Sequence, residues 1–335
     1  MLLNENLVGQ QQMWGQFVTR LDDHDKPLLK MIRPGPKPVN RLYQYQAKTY
    51  NAPTESNQPE GKDWSAFATP NRRVELKARI HRNDITGAVS VMAQDVNNVA
   101  GVKDELAEDI LDRMEELRRS MESYMGSDRA AFEDNGVNQD RTQALGLWIQ
   151  SGTTSQLYAT PPAVRPAAAS IHTGTVAQFT EPAFRDLLIS SWKQTGQSGV
   201  LTLLLGENLK KTIDDWAQRV VDPTANLTIL SRSARDYDSK TLGYEVQTYR
   251  TPFGTAETHL SRWLAHENFG GTAAKAKWRG YGIHPDRWQL LWNTQPRVEK
   301  LAFQGGSYRY GAYCLWMLAC LSPLGEIKVD VSDPE

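Results

Sequence analysis

The sequence predicts an α+β chain, and three observations predict it. Strand-like alternation recurs over 42–50, 73–81 and the long stretch 286–331; helical spacing is confined to 103–125 and two shorter middle segments; and the two patterns follow each other without strict β–α alternation. At 335 residues the chain has length for two or so domains with cores of their own. A composition of 40% apolar and 23% charged residues excludes wholesale disorder.

Taken in order, residues 1–41 combine polar glutamines, the acidic run Asp22-Asp23-His24-Asp25 and the proline-rich "RPGPKPV". That composition predicts an extended arm with little core. The opening "MLLNENLVGQQQMWGQF" has no basic region leading into an apolar stretch, so no signal peptide is expected. Two alternating strands follow. Tyr43, Tyr45, Ala47 and Thr49 share one face of the first; Val74, Leu76, Ala78 and Ile80 share one face of the second. Between them lies a polar tip, 51–70, carrying Trp64 and Phe67. A two-stranded ribbon is marginal in water, so its apolar face must rest on something else, and a neighbouring copy of the chain is the expected support.

After a short strand at "TGAVSVMAQ", Leu106, Ile110, Met114, Leu117, Met121 and Met125 step by three and four residues along one helical stripe. Asp109–Arg113 and Glu115–Arg119 stand at i,i+4 in the favourable order, and Gly126 marks the stop. Over 103–125 the rod is roughly 35 Å long at 1.5 Å per residue.

In the middle, "QALGLWIQSG" is expected as a turn and strand and "PPAVRPAAAS" as a loop. "EPAFRDLLISSWKQTG" is expected as a helix capped by Thr180 with Pro182 in its first turn. "VLTLLLG" reads as a buried strand, and "ENLKKTIDDWAQRV" as a helix on which Lys210 and Lys211 are solvated. Residues 244–264 predict a hairpin turning at Pro252–Gly254. The end is almost wholly strand, punctuated by Gly305–Gly306. Trp192, Trp216, Trp288 and Trp292 are expected in cores, whereas Trp14 and Trp64 stand where an aromatic anchors a partner surface.

Chemistry is hard to assemble from these residues. "LTLLLGENLKKT" has the strand–glycine–helix order of a phosphate loop but lacks the second glycine and the Gly-Lys-Thr order. "GGSYR" at 305–309 puts Arg309 where a nucleophile elbow needs glycine. The six histidines never fall at metal-ligand spacing. No catalytic, cofactor-binding or metal site is expected, and the chain is read as no enzyme. Cys314 and Cys320, six apart in one strand, lie on the same face too far apart to bond, which fits free thiols in a reducing cytoplasm. The apolar run "AYCLWMLACL" is about half a membrane span, so no membrane partner is expected.

A net charge of −1 excludes capture of nucleic acid by bulk electrostatics. The charge is uneven, however: 71–82 holds five Arg/Lys and one Glu, and 103–134 holds eleven acids and five bases.

The order of parts, with "HRNDITGAVSVMAQDVNNVAGVKDELAEDILDRMEELRRSMESYM" at 81–125, "TYRTPFGT" at 248–255 and "LAFQGGSYRYGAYCLWMLACLSPLGEIKV" at 301–329, resembles tailed-bacteriophage major capsid (major head) proteins of the Hong Kong 97-type fold. The likeness covers residues 40–331. It implies an N-terminal arm (1–41), an extended loop, or E-loop (42–82), a peripheral domain (83–134 and 286–322) built on a long spine helix, and an axial domain (135–285 and 323–335). It further implies self-assembly through hexamers and pentamers into an icosahedral head enclosing double-stranded DNA, made in the bacterial host cytoplasm and residing in the virion. The implied partners are further copies of the chain, a scaffold, a portal and decoration proteins, with DNA touched only non-specifically. In that architecture an E-loop lies over its neighbour's peripheral domain. The expected inter-subunit contact therefore sets Arg72, Arg73, Leu76, Lys77, Arg79 and Ile80 of one copy against Asp104, Glu105, Glu108 and Asp112 of the next. The alternatives are a hydrolase or nucleotide-binding enzyme centred on the Gly206 loop, and another virion or assembly protein.

Overall fold

The computed structural model describes residues 25–50, 53, 60–61, 73–95, 104–152, 158–196, 199–216 and 246–331. In chain order these form α1 (Pro27–Met31), β1 (Arg33–Pro34), β2 (Leu42–Lys48), β3 (Arg73–Arg79), β4 (His81–Ser90), α2 (Val91–Asp95) and α3 (Glu105–Met125). There follow α4 (Leu145–Trp148), β5 (Ile171–His172), α5 (Glu181–Thr195), β6 (Val200–Leu205), α6 (Glu207–Trp216), β7 (Thr248–Thr251) and β8 (Gly254–Leu260). The chain closes with α7 (Ala273–Trp278), β9 (Arg279–Ile283), β10 (Trp288–Lys300), β11 (Ser307–Cys320) and β12 (Ile327–Asp330). Helices and strands mix in the α+β manner.

The strands form a four-stranded sheet in the order β1-β10-β11-β4, a six-stranded sheet in the order β5-β12-β9-β6-β8-β7, and the separate ribbon β2-β3. By packing, the chain divides into two units. One is built mainly of Asn83–Arg119 and Pro296–Cys314; the other comprises Lys26–Arg82, Ser120–Gln295 and Leu315–Glu335.

In the first unit, α3 begins at a reciprocal cap. Asp104 Oδ1 accepts the Ala107 amide at 3.0 Å, and Gln94 donates to the same carboxylate while accepting from the Leu106 amide. The Gln94 hydrogen bond, helped by these amides, holds the Asp104 carboxyl below its ordinary range. The i,i+4 pairs Asp109–Arg113 and Glu115–Arg119 form at 3.5 and 3.9 Å. Tyr310 donates its hydroxyl to Asp109 at 2.6 Å. Gly87 of β4 lies directly on that tyrosine: a Cβ there would stand 2.3 Å from the hydroxyl oxygen. At the end of the β10–β11 hairpin, Gly305 and Gly306 both take positive φ (64° and 67°), which the tight turn between Gln304 and Ser307 requires.

The second unit is centred on β6, whose residues 201–205 are all buried. It pairs parallel to β8 and antiparallel to β9, while Phe184, Leu187 and Leu188 of α5 and Leu209 and Ile213 of α6 pack on the sheet. Each such fully buried side chain contributes about 1.5–3 kcal/mol. Met121 and Met125 complete the α3 stripe as fully buried residues, while Leu106, Ile110 and Met114 at its start are only half-buried. The fully buried Glu122 carboxylate accepts the Leu28 and Leu29 amides at 2.7 and 2.9 Å, supplying the cap that α1 lacks from its own Lys26. Arg279, also fully buried, donates to Asp128 and Asp330 at 2.7 Å each and to the Tyr281 hydroxyl at 2.8 Å; Lys328 reaches Asp128 at 2.8 Å. Burial works to raise the Asp128 carboxyl, but Lys328 and Arg279 outweigh it and hold the group below the usual carboxylate range.

Four expectations are corrected here. Residues 145–148 form a short helix rather than a strand; four consecutive buried residues carry no period that separates the two. Thr180 stands at the N-cap of α5, yet its hydroxyl accepts no helix amide. Trp192 is 39% exposed, with its ring edge against Phe253, instead of lying in the core. Lys210 is buried rather than solvated: its ammonium donates to Asp214 and to the Thr258 hydroxyl, both at 3.0 Å, and to the Val246 carbonyl at 2.5 Å.

Removing one partner of such a buried pair leaves the other uncompensated. Lys210→Ala is expected to lower the unfolding free energy of the subunit by about 3–5 kcal/mol in urea titration. A loss below about 1 kcal/mol would show that the ammonium is not structural.

Candidate inter-subunit surface

The ribbon is built on strict two-residue alternation. β2 and β3 pair antiparallel from Leu42↔Arg79 to Lys48↔Arg73, which places Tyr43 opposite Ala78, Tyr45 opposite Leu76 and Ala47 opposite Val74 on one face. That face has a floor within the same subunit: Ala78 joins Leu291 of β10 and Met317 and Ala319 of β11 in a buried cluster, with Tyr43, Tyr45 and Ile80 packed against it. Tyr45 adds a directional tie, donating its hydroxyl to the Cys320 carbonyl at 2.6 Å; burial pushes the ionisation of that phenol far above its ordinary value.

The opposite face is polar. Gln44, Gln46, Lys48, Arg73 and Glu75 are exposed, Arg73 donates to Gln46 at 3.3 Å, and Lys77 pairs with Glu75 at 3.3 Å. Among the described residues neither edge of the ribbon is joined by a third strand. Such edges present unpaired amides and carbonyls to whatever comes beside them. Along β3 a cavity of about 240 Å³ separates Glu75, Leu76 and Lys77 from Tyr158, Ala159 and Pro161.

At the foot of the ribbon, Arg79 donates through Nε to Asp140 Oδ1 at 2.9 Å and through Nη1 to Glu133 at 2.8 Å, with Nη2 in ion-pair contact with Asp140 Oδ1 at 2.8 Å. The Tyr158 hydroxyl donates to the same Glu133 oxygen. Burial disfavours the Arg79 cation, but Asp140 and Tyr158 more than offset this and raise its pKa.

The expected contact residues therefore separate into groups. Leu76 is only 1% exposed and Ile80 packs, half-buried, against the cluster under the ribbon, so their own chain supplies the burial of Leu76 and part of that of Ile80. Arg79 likewise meets acids of its own subunit. Arg73 and Lys77 are on the outer face; Arg72, Trp14, Trp64 and Phe67 lie outside the described residues. On α3, Asp104 and Asp112 are exposed and Glu105 and Glu108 half-buried. Sequence reasoning missed Asp140, Glu133 and Tyr158, which stand in a patternless polar segment and carry no signal of their own.

Apolar side chains also reach the surface in both units. Leu301 and Phe303 are exposed beside Tyr308, the two rings 5.5 Å apart, at the end of the β10–β11 hairpin. In the other unit Val200 is exposed at the start of β6. Among the described residues there is no group of three or more metal-ligating side chains, and no helix is long and apolar enough to cross a membrane. The Gly206 turn has no room for a phosphate cradle: its backbone is packed on the end of α7, where a Cβ would lie 2.2 Å from the Ala276 carbonyl.

Comparison with solved structures sets this architecture in a class. The chain is similar to the cyanophage A-1(L) capsid protein (TM-score 0.61, 12% identity, 98% of this chain and 97% of that one). It is also similar to that of Gordonia phage Cozz (TM-score 0.58, 13% identity, 99% and 98%) and to a native GTA particle capsid (TM-score 0.56, 9% identity, 98% and 97%). At these identities the likeness is one of fold, and the fold is the Hong Kong 97 type of tailed-phage capsids. A family model for the SU10 major capsid protein matches residues 3–319, and the chain belongs to that family. No curated protein matches the sequence. The family is one of structural shell proteins, and the enzyme centred on Gly206 is set aside.

The ribbon floor gives a direct test. Leu76→Ala is expected to cost about 2–5 kcal/mol in the unassembled subunit, measured by denaturant titration. Were Leu76 covered only by a neighbour, the unassembled subunit would lose almost nothing and only assembly would suffer.

Proposed function

We propose that this chain, as the major capsid protein, assembles through hexamers and pentamers into an icosahedral head enclosing the double-stranded DNA genome of a tailed phage. The observation that carries the reading is the ribbon, anchored at its base in its own subunit and offering, among the described residues, two edges without a third strand and a polar outer face. An element of that form is made to meet another copy. In this reading residues 1–41 act as the arm and 42–82 as the E-loop. Residues 83–134 with 286–322 act as the peripheral domain, and 135–285 with 323–335 as the axial domain around the capsomer axes. A scaffold and portal guide assembly in the host cytoplasm, decoration proteins dress the finished virion, and the near-neutral chain meets the packaged DNA non-specifically.

The uneven charge gives the contact its register. Arg72, Arg73 and Lys77 face Asp104, Glu105, Glu108 and Asp112 of the next subunit; Arg79, already paired at home, takes no part. Exposed pairs are worth about 0–1 kcal/mol each, so they orient more than they bind.

The test is assembly of the purified chain, with its scaffold where one is needed, followed by negative-stain microscopy across salt concentrations. Closed shells are expected from the native chain, and a chain that stays monomeric throughout would overturn the reading. Arg73→Glu with Lys77→Glu should reduce shell yield and flatten its salt dependence, since screening acts over roughly 8–10 Å at physiological ionic strength. An unchanged yield and salt profile would remove the charge contact.

A further inference from the structure

At the foot of the ribbon one carboxylate, Asp140, meets an arginine from the start of β2 and another from the end of β3. Arg79 ends β3, and Arg41 stands immediately before β2; the first donates through Nε to Asp140 Oδ1 at 2.9 Å with Nη2 2.8 Å from the same oxygen, and the second lies 3.8 Å from Asp140 Oδ2. Asp140 Oδ1 also accepts the Asp134 amide at 2.9 Å, which ties the carboxylate to the turn between Phe132 and Arg141, two residues bridged to each other. The Arg79 and Asp140 side chains are 13% and 11% exposed, against 50% for Glu133 and 68% for Arg41. The centre of the cluster is therefore the Arg79–Asp140 pair, and the other two charges form its rim.

This pair does something the apolar floor cannot. Packing of Tyr43, Ala78 and Ile80 on β10 and β11 decides which face of the ribbon points inward, but apolar contact is non-directional and tolerates rotation in the plane of the interface. A guanidinium held through Nε by Asp140 and through Nη1 by Glu133 has a fixed orientation. The seven residues of β3 span about 23 Å at roughly 3.3 Å per residue, so a swing of about 10° at the foot moves the far end by about 4 Å. A displacement of that size is enough to break the register of a contact made at the far end.

We propose that Asp140 is the positioning residue that fixes the direction in which the ribbon leaves its subunit, and thereby the geometry with which successive subunits join. The proposal rests on the reading that the ribbon reaches a neighbouring copy, and the experiment separates the two.

Unassembled Asp140→Asn and Asp140→Ala subunits are compared with the native chain by thermal melting and by hydrogen exchange over 42–48 and 73–79. They are then assembled and their particle diameters measured by negative stain. Both variants should stay folded and melt cooperatively, several degrees below the native subunit, because Glu133 remains opposite Arg79 when Asp140 is replaced. Exchange of the ribbon amides should rise about tenfold while β6 is unchanged, and particles should be open or of several-fold broader diameter distribution. Asp140→Glu, which keeps the charge, should recover closed particles in part. Native exchange in the ribbon of Asp140→Ala, or closed shells of native diameter from it, would overturn the proposal. So would global unfolding of both Asn and Ala variants, because Asp140 would then be serving stability and not direction. Failure of the native chain itself to assemble would strike the functional reading, while the exchange comparison still decides the role of Asp140.

Discussion

A two-stranded ribbon in water has no way to bury its apolar face on itself, and the architecture around β2 and β3 answers that constraint. The floor comes from Leu291, Met317 and Ala319 on the two longest strands of the chain, and the lateral tie comes from Tyr45 to the Cys320 carbonyl. Because the floor is internal, the ribbon base is part of the subunit before any neighbour arrives. On the proposed reading, what is left for other copies is the polar outer face and the two edges, groups that lose little by facing water and gain by being paired. An element so divided would be stable in the free subunit and still adhesive in a shell.

The same division runs through α3. Its later turns carry Met121, Tyr124 and Met125 into a core, whereas its first turns keep Leu111 and Asp112 exposed. The carboxylate at position 122 shows how such a helix tolerates an acid on its buried side. Two amides of α1 satisfy it, so a group that would cost several kilocalories unpaired instead caps a helix.

What could be read in the sequence was whatever carried a period or a local rule. The β2 and β3 faces were legible because alternation survives in seven-residue strands, the α3 stripe because it runs for six turns, and the hairpin turn at 305–306 because paired glycines allow positive φ at both positions. The α4 helix was not, since Leu145, Gly146, Leu147 and Trp148 are buried on every side. Lys210 misled because residue type says surface, while its partners Val246 and Thr258 lie 36 and 48 positions away. Ala78 misled for a related reason: the strands that cover it, carrying Leu291, Met317 and Ala319, come more than two hundred residues later. Inside a chain, a long-range floor and a neighbour's surface leave the same alternating pattern.

The polar clusters that sequence reasoning missed share one property: each joins segments distant in the chain through a charge with a fixed direction. Arg79 and Asp140 are 61 residues apart, Glu122 and Leu28 are 94, and Arg279 and Asp128 are 151. Against well-packed apolar replacements such buried charges add little net stability, since desolvation offsets most of the attraction. Their contribution lies elsewhere. Apolar cores accept many nearly equivalent packings, whereas a guanidinium forked between two carboxylates accepts few. A shell is built from many copies of one chain, and an angular error in one copy is repeated at every contact it makes. On the proposed reading, directional pairs at the foot of the ribbon and at the ends of β9 and β12 in the six-stranded sheet stand where small rotations of one element would be carried furthest.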